Sequence, residues 1–430
     1  MSSHSPIPAA LFEFLGSARL ASALSTTAIG LGVFAWTLHN VIGWGGLIGM
    51  LVALVVLCAG SLYARRGAVD WTGLMPISLL LFVGWAGVSI FWSEYQWVTF
   101  ASLSYLLAFT VLGFYVALMR DTIQIIRSFG DVLRFLFVLS LVLEIFSGLL
   151  VDTPIHFLDI RAQLDAGGPI SGLLSNRNEL GLLAVVGGIS FAIEWRTRSV
   201  TNQLAIGSIS LAVITLILTQ SPIGWGTAVV STVAMVVLYG IRRLPLPSRR
   251  VWQFVALGIA LAVALLAWLF RSPIVSALNA GGELNYRLRL WQEIWALVPL
   301  HSVQGWGWVG QWNTDITPYS QLGSAGGGPA SSAANAYLDV WLQLGIIGVA
   351  TFVLVAGLAF VRSWLLAIRQ RSVIFTWPAV VLAALLTASL AESTILVEFG
   401  WLTFIVCCVK ASQSLSWRTA FRKPLVPEPL

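Results

Sequence analysis

Apolar runs long enough to cross a bilayer recur from about residue 20 to residue 411, separated by short polar segments. They fall at approximately 20–39, 42–62, 73–92, 97–118, 131–150, 178–194, 203–220, 223–241, 251–270, 336–360, 374–391 and 395–411. This pattern predicts an all-α polytopic membrane protein with about twelve transmembrane helices. The expected layout is a tail with an interfacial helix at 1–19, one transmembrane domain over 20–411, and a second tail at 412–430. Residues 1–19 lack the basic-then-apolar order of a cleavable signal peptide.

Basic residues orient this layout. With the N-terminus inside, only Arg161, Arg177, Arg271, Arg287 and Arg289 face outward, and Arg134 lies within a span. The other basic residues fall in inner segments, as the positive-inside rule requires. Both termini are therefore expected in the cytoplasm. Two long loops, about 151–177 and 271–335, face outward and leave room for short interfacial helices.

The stretch from Gly281 to Gly348 differs from the rest of the chain. It combines arginines, tryptophans and glycines with a polar Asn335-Ala336-Tyr337-Leu338-Asp339 segment opening a helix. On a helix over 283–298, Leu284, Leu288, Trp291, Ile294, Trp295 and Val298 share one face. Asn285, Arg289, Gln292 and Glu293 lie opposite. Arg287 falls within the apolar face, so it must either snorkel to lipid headgroups or meet an anion such as phosphate. Arg289 reads as a solvated charge with a secondary role. In the turns of Gly305-Trp306-Gly307-Trp308-Val309-Gly310, Trp306, Trp308 and Trp312 suit interface anchoring or stacking on a sugar ring.

The earlier outer loop ends in Ser175-Asn176-Arg177-Asn178, placed where a headgroup or phosphate would be met. Asn176 or Asn178 could equally cap the next helix, with Glu179 in its first turn. Glu144 sits within the fifth span, while Glu392 and Glu398 lie near the last two. The last two are candidate arginine partners or acceptor contacts.

Composition removes several alternatives. Hydrophobic residues make up 58 % of the chain and charged ones 10 %, too few charges for a soluble enzyme of 430 residues. The net charge of +6 is dispersed, so no nucleic-acid partner is expected. Cys58, Cys407 and Cys408 lie in apolar runs and offer no disulfide framework. His156, His301 and the carboxylates Asp152, Asp159, Asp165, Glu283 and Asp315 form no metal-ligand pattern. There is no glycine-rich nucleotide loop, so neither metal nor cofactor is expected.

Several pieces in order resemble the O-antigen ligase and O-antigen polymerase superfamily of membrane glycan transferases. They are Asn176-Arg177-Asn178, Thr219-Gln220-Ser221, Arg287-Leu288-Arg289-Leu290-Trp291, Pro299 to Gly307, and Asn335-Ala336-Tyr337-Leu338. The resemblance covers roughly residues 170–360. It implies transfer of a glycan from a polyprenyl-pyrophosphate donor to an acceptor hydroxyl, with inversion and without metal. The setting it implies is the outer face of the bacterial cytoplasmic membrane.

On that resemblance Arg287, Arg177 and, third, Arg289 would hold the pyrophosphate. Asn178, Trp306, Tyr337 and Glu392 would contact the acceptor or glycan, and Asn335 would belong to the catalytic motif. Two positions depart from the pattern. Pro222 replaces a frequent arginine, and Ala334 stands where the family has the histidine expected to act as base. Alanine cannot move a proton, so the chain reads as an inactivated variant or a divergent member using another base or none. Partners would be the lipid-linked donor, a glycan or lipid-linked acceptor, and the bilayer. The competing functions are a lipid-linked glycan transporter or flippase, and a non-catalytic glycan-binding protein.

Overall fold

A computed structural model describes residues 9–67, 77–174, 176–270, 272, 273, 276, 281–323 and 330–413. Residues 1–8, most of the tail at 412–430, Ser175 and Arg271 lie outside the described residues. Among those described, the regular structure is helical, with a single isolated bridge between Ile155 and Ile160.

The helices run in this order: α1 (Ala9–Leu15), α2 (Ala18–Val33), α3 (Ala35–Ala64), α4 (Ile77–Val88), α5 (Gln96–Met119), α6 (Thr122–Ile145) and α7 (Arg177–Thr197). Then come α8 (Asn202–Thr219), α9 (Pro222–Arg243), α10 (Leu246–Leu269), α11 (Gly281–Leu297), α12 (Ala336–Arg369), α13 (Thr376–Ala388) and α14 (Glu398–Gln413). Among the described residues, seven segments are long and apolar enough to cross a membrane, fewer than the about twelve expected. They are α3, α5, α6 with its continuation to Val151, α7, α8, α9 and α12. The protein is an all-α, multi-pass membrane protein.

The predicted runs lie largely within helices, residues 73–76 being outside the described ones, but several boundaries differ because backbone breaks are local. The first break falls at Phe34, and α3 then continues through a kink at Gly43 (φ 70°, ψ 175°) where a gap between two spans was expected. α6 starts earlier, at a capping box of Asp121 and Gln124, and ends in a π-turn over Phe146–Val151. α12 runs on to Arg369 but is broken at Gly345 (φ 65°, ψ −167°).

That break is compensated in detail. Trp306 N–H donates to the Leu342 carbonyl at 3.0 Å, and Gly307 N–H to that of Gln343 at 2.8 Å. Trp85 Nε1 donates to the Leu344 carbonyl at 2.9 Å, while Ile346 N–H reaches Ser302 O at 2.9 Å. Backbone groups freed by a helix break inside a membrane protein need such partners. A Cβ at Gly345 would lie 2.1 Å from Val303 O, so no other residue permits this docking.

α7 is the most enclosed candidate span, with 72 % of its apolar window buried against 22 % for α3 and α9. It packs on α6, α8, α9 and α13. Its contact with α9 is close because Gly181 faces Gly224: a Cβ on the second would sit 3.2 Å from the Cα of the first. The main core, which includes Phe82, Trp377 and Trp401, lies among these helices. A second, smaller core joins α11 to the following loop through Leu290, Ile294, Val309, Trp312 and Tyr319.

Candidate functional site

The N-terminus of α7 is the fixed point of the site. Glu144 accepts the Gly172 N–H at 2.9 Å and Ser140 Oγ that of Leu173 at 3.2 Å, which pins the chain just before the helix. Thr37 Oγ1 donates to the Leu173 carbonyl. Glu144 is therefore occupied with backbone positioning. Asn176 caps α7 by accepting Glu179 N–H at 2.9 Å, which settles which of the two asparagines takes that part.

Asn178 turns inward and is buried. Its Oδ1 accepts Ser221 Oγ–H at 2.7 Å, and its Nδ2 donates to Glu392 Oε1 at 2.9 Å. Ser221 also caps α9, accepting Gly224 N–H at 2.9 Å. The Thr219-Gln220-Ser221 corner thus serves to hold Asn178.

α11 corrects the expected helix face. Leu288 and Trp295 are exposed, whereas Leu290, Ile294 and Val298 are buried. Glu283 and Arg287 continue this inward stripe at spacings of three and four residues. Arg287 therefore neither snorkels nor sits among lipid-facing side chains. Its Nη1 donates to Glu283 Oε2 and its Nη2 to Glu392 Oε1, both at 3.0 Å, and its Nε to Ala391 O at 3.2 Å. Arg177 reaches the other oxygen of Glu283, with Nε at 3.0 Å and Nη2 also in contact.

Two arginines and two glutamates thus form one chain of ion pairs, closed behind by Asn178 and Ser221. Burial would raise Glu283, but hydrogen bonds and charge from Arg177 and Arg287 outweigh it and hold its carboxyl below the ordinary range. Glu392 is the opposite case. Burial dominates there and raises it, with Arg287 and Asn178 opposing.

The 389–392 turn links this cluster to the residues around Ala334. Asn335 Nδ2 donates to Leu390 O at 3.0 Å, and Ala336 N–H to Ser389 O at 2.9 Å. Asn335 Oδ1 also caps α12, accepting N–H bonds from Tyr337 and Leu338. Trp291, one turn after Arg287, donates from Nε1 to Ala333 O at 2.9 Å. Ala334 itself is left-handed, at φ 47°.

Other expected site residues lie apart from the cluster. Arg289 is exposed and reaches only Asn285 O of its own helix, at 3.4 Å, among the described residues. Trp306 packs edge-on against His301, with ring centroids 4.4 Å apart. Tyr337 packs against Phe352 at 5.8 Å. Trp308 and Trp312 are core residues, and Trp312 Nε1 donates to Asp339 Oδ1 at 2.7 Å. Glu398 accepts from Tyr105 Oη at 3.0 Å rather than from an arginine.

Glu283, Ser221 and Asp339 stand out in the sequence without a role at the site, and Gln343 does not stand out at all. Glu283 had a signal, its four-residue spacing from Arg287. Gln343 had none: its amide organises the glycine-tryptophan loop by accepting from Val309 N–H and Gly310 N–H and donating to Gly310 O.

Residues 207–353 match the family model described as O-antigen ligase. Over that stretch the chain is similar to the O-antigen ligase family. No match was found among curated proteins. The O-antigen ligase match includes Ser221, Arg287 and the Ala334–Leu338 segment. Arg177, Asn178 and Glu392 lie outside it and join those residues through the fold.

Proposed function

We propose that this O-antigen ligase-like chain transfers a glycan from a polyprenyl-pyrophosphate donor to an acceptor hydroxyl at the outer face of the bacterial cytoplasmic membrane. The observation that carries the reading is the convergence of Arg177 and Arg287 beside the turn that also holds Asn335. The acceptor oxygen bonds to the anomeric carbon, the bond from that carbon to the pyrophosphate oxygen breaks, and configuration inverts. Arginines are suited to the negative charge that develops on the leaving pyrophosphate, because each presents several fixed donors. Asn178 and Glu392 hold Arg287 from behind. Arg289, Trp306 and Tyr337 have no contact with this cluster among the described residues and receive a lesser part, at the periphery of the glycan path.

The acceptor proton has no evident recipient at Ala334. The left-handed backbone there supports the reading that histidine belongs at this position, since His, Asn and Asp are enriched several-fold in that conformation and alanine is not. Loss of a general base costs about 10²–10⁴ in rate. The same feature favours a second reading, a membrane protein that binds the lipid-linked glycan without turning it over.

The deciding experiment is transfer in vitro from a purified polyprenyl-pyrophosphate glycan to its matched acceptor, with this chain and Ala334→His. Activity gained with histidine and lost again on adding Arg287→Ala supports the transferase. Donor binding without turnover in both proteins supports the binding protein. Activity indifferent to Arg287 overturns both.

A further inference from the structure

The two carboxylates that neutralise the arginines are held very differently. Glu392 is anchored: its Oε1 accepts from Arg287 and from Asn178, whose own carbonyl is held by Ser221 at the cap of α9. Its side chain is only 15 % exposed. Glu283 is 29 % exposed, and among the described residues its carboxylate hydrogen-bonds to the two guanidinium groups alone.

Glu283 presents one oxygen to Arg177 and the other to Arg287. That is how two oxygens of a phosphoryl group would be received by the same pair. Its position in the first turn of α11 lets the side chain swing outward without moving the helix. Glu392, by contrast, cannot leave without stripping the buried Asn178 amide, itself fixed by Ser221, of its acceptor.

We propose that Glu283 is a displaceable counter-ion. It occupies the pyrophosphate position in the empty protein, yields both arginines to the donor, and returns to expel the polyprenyl-pyrophosphate product. This deepens the donor-site reading above and rests on it.

Electrostatics supplies the reason for such a device. Two arginines sharing a ligand repel one another when it leaves, and they would retain a doubly charged product strongly. A carboxylate tethered on the same scaffold acts at high effective concentration, as any linked competitor does. It lowers affinity for donor and product alike and keeps the arginines in register between turnovers.

The test measures binding of a short-chain polyprenyl pyrophosphate, farnesyl pyrophosphate, to the full-length protein in detergent by calorimetry. Glu283→Gln keeps the shape of the side chain and removes its charge. It is expected to bind roughly tenfold more tightly, equivalent to about 1.4 kcal/mol. Arg287→Ala and Arg177→Ala are expected to bind more weakly. In an Ala334→His background, Glu283→Gln is also expected to be inhibited by farnesyl pyrophosphate at lower concentration than its parent.

Equal or weaker binding by Glu283→Gln, with both arginine variants still impaired, overturns the counter-ion and makes Glu283 a positioning residue only. Unchanged binding in the arginine variants overturns the donor-site reading itself, and the counter-ion with it. Phosphatidylglycerol micelles competing for the site as well as farnesyl pyrophosphate, with the same gain in Glu283→Gln, would reassign it to ordinary lipid headgroups.

Discussion

Two arginine–glutamate clusters lie near opposite ends of α7, and their difference separates structural charge from charge available for chemistry. Near the C-terminal end, Arg134 of α6 contacts Glu194 of α7, donates from Nε to Ser208 of α8 at 2.7 Å, and lies 4.8 Å from the Phe191 ring. Glu194 is wholly buried, so the pair ties three helices together with no access for a ligand. The exposed Asp131, 2.9 Å from Arg134, adds a second charge at the rim. At the N-terminal end, Arg177 and Arg287 share Glu283, and the four side chains come from the starts of α7 and α11 and from the 389–392 turn. All four side chains there keep some exposure. A pair enclosed by helices has only one arrangement, whereas a cluster at element ends can exchange a partner.

Removing one side of each cluster sharpens this contrast. Arg134→Leu leaves Glu194 uncompensated in the interior and is expected to destabilise by about 3–5 kcal/mol, read as a large fall in thermal midpoint in detergent. An unchanged midpoint would remove the structural role. Arg287→Ala, made with Ala334→His, is expected to cut transfer by about 10²–10³, the usual cost of losing one preorganised donor to developing charge, with little change in the midpoint. If the midpoint falls as far as in Arg134→Leu, the two clusters do not differ in the way drawn here.

Smaller effects test the edges. Asn335→Ala removes the cap of α12 and its link to Leu390, at about 1 kcal/mol. Its transfer rate should fall further than that stability change accounts for, because the 389–392 turn also holds Arg287. Arg289→Ala should leave transfer within about twofold, as a solvated charge contributes little.

Acidity offers another probe of the Glu283 cluster. Glu283 is held below its unfolded value, so its stabilising ion pairs are present above the ordinary carboxylate range. They are lost as pH falls through the lowered value. Thermal stability should therefore decline on acidification with Glu283 and show a shallower decline in Glu283→Gln.

The helical membrane class, the positions of most of the described apolar helices and the need of Arg177 and Arg287 for charged partners were legible because each is a local property. A run of apolar residues must bury its backbone polar groups in a helix whatever surrounds it. An arginine near such a run is costly enough to demand a partner. The inward face of α11 was not legible. Leu288 and Trp295 look like core residues when the alternative is water, but the exposed side of a membrane protein tolerates them as readily. Hydropathy therefore could not tell that Glu283 and Arg287 turn inward with Leu290 and Ile294.

The amino-acid sequence by itself determined the helical class and the kinds of charged group available. Only the tertiary structure decided which charges meet. Arg177 and Glu283 are 106 positions apart, and Arg287 and Glu392 are 105. Such pairs depend on where the starts of α7 and α11 and the 389–392 turn come to rest. Those positions are set by the close α7–α9 contact, the docked break at Gly345 and the Asn178–Ser221 link. Helix periodicity reports a residue's face, whereas partner choice is a property of packing between elements distant in the chain.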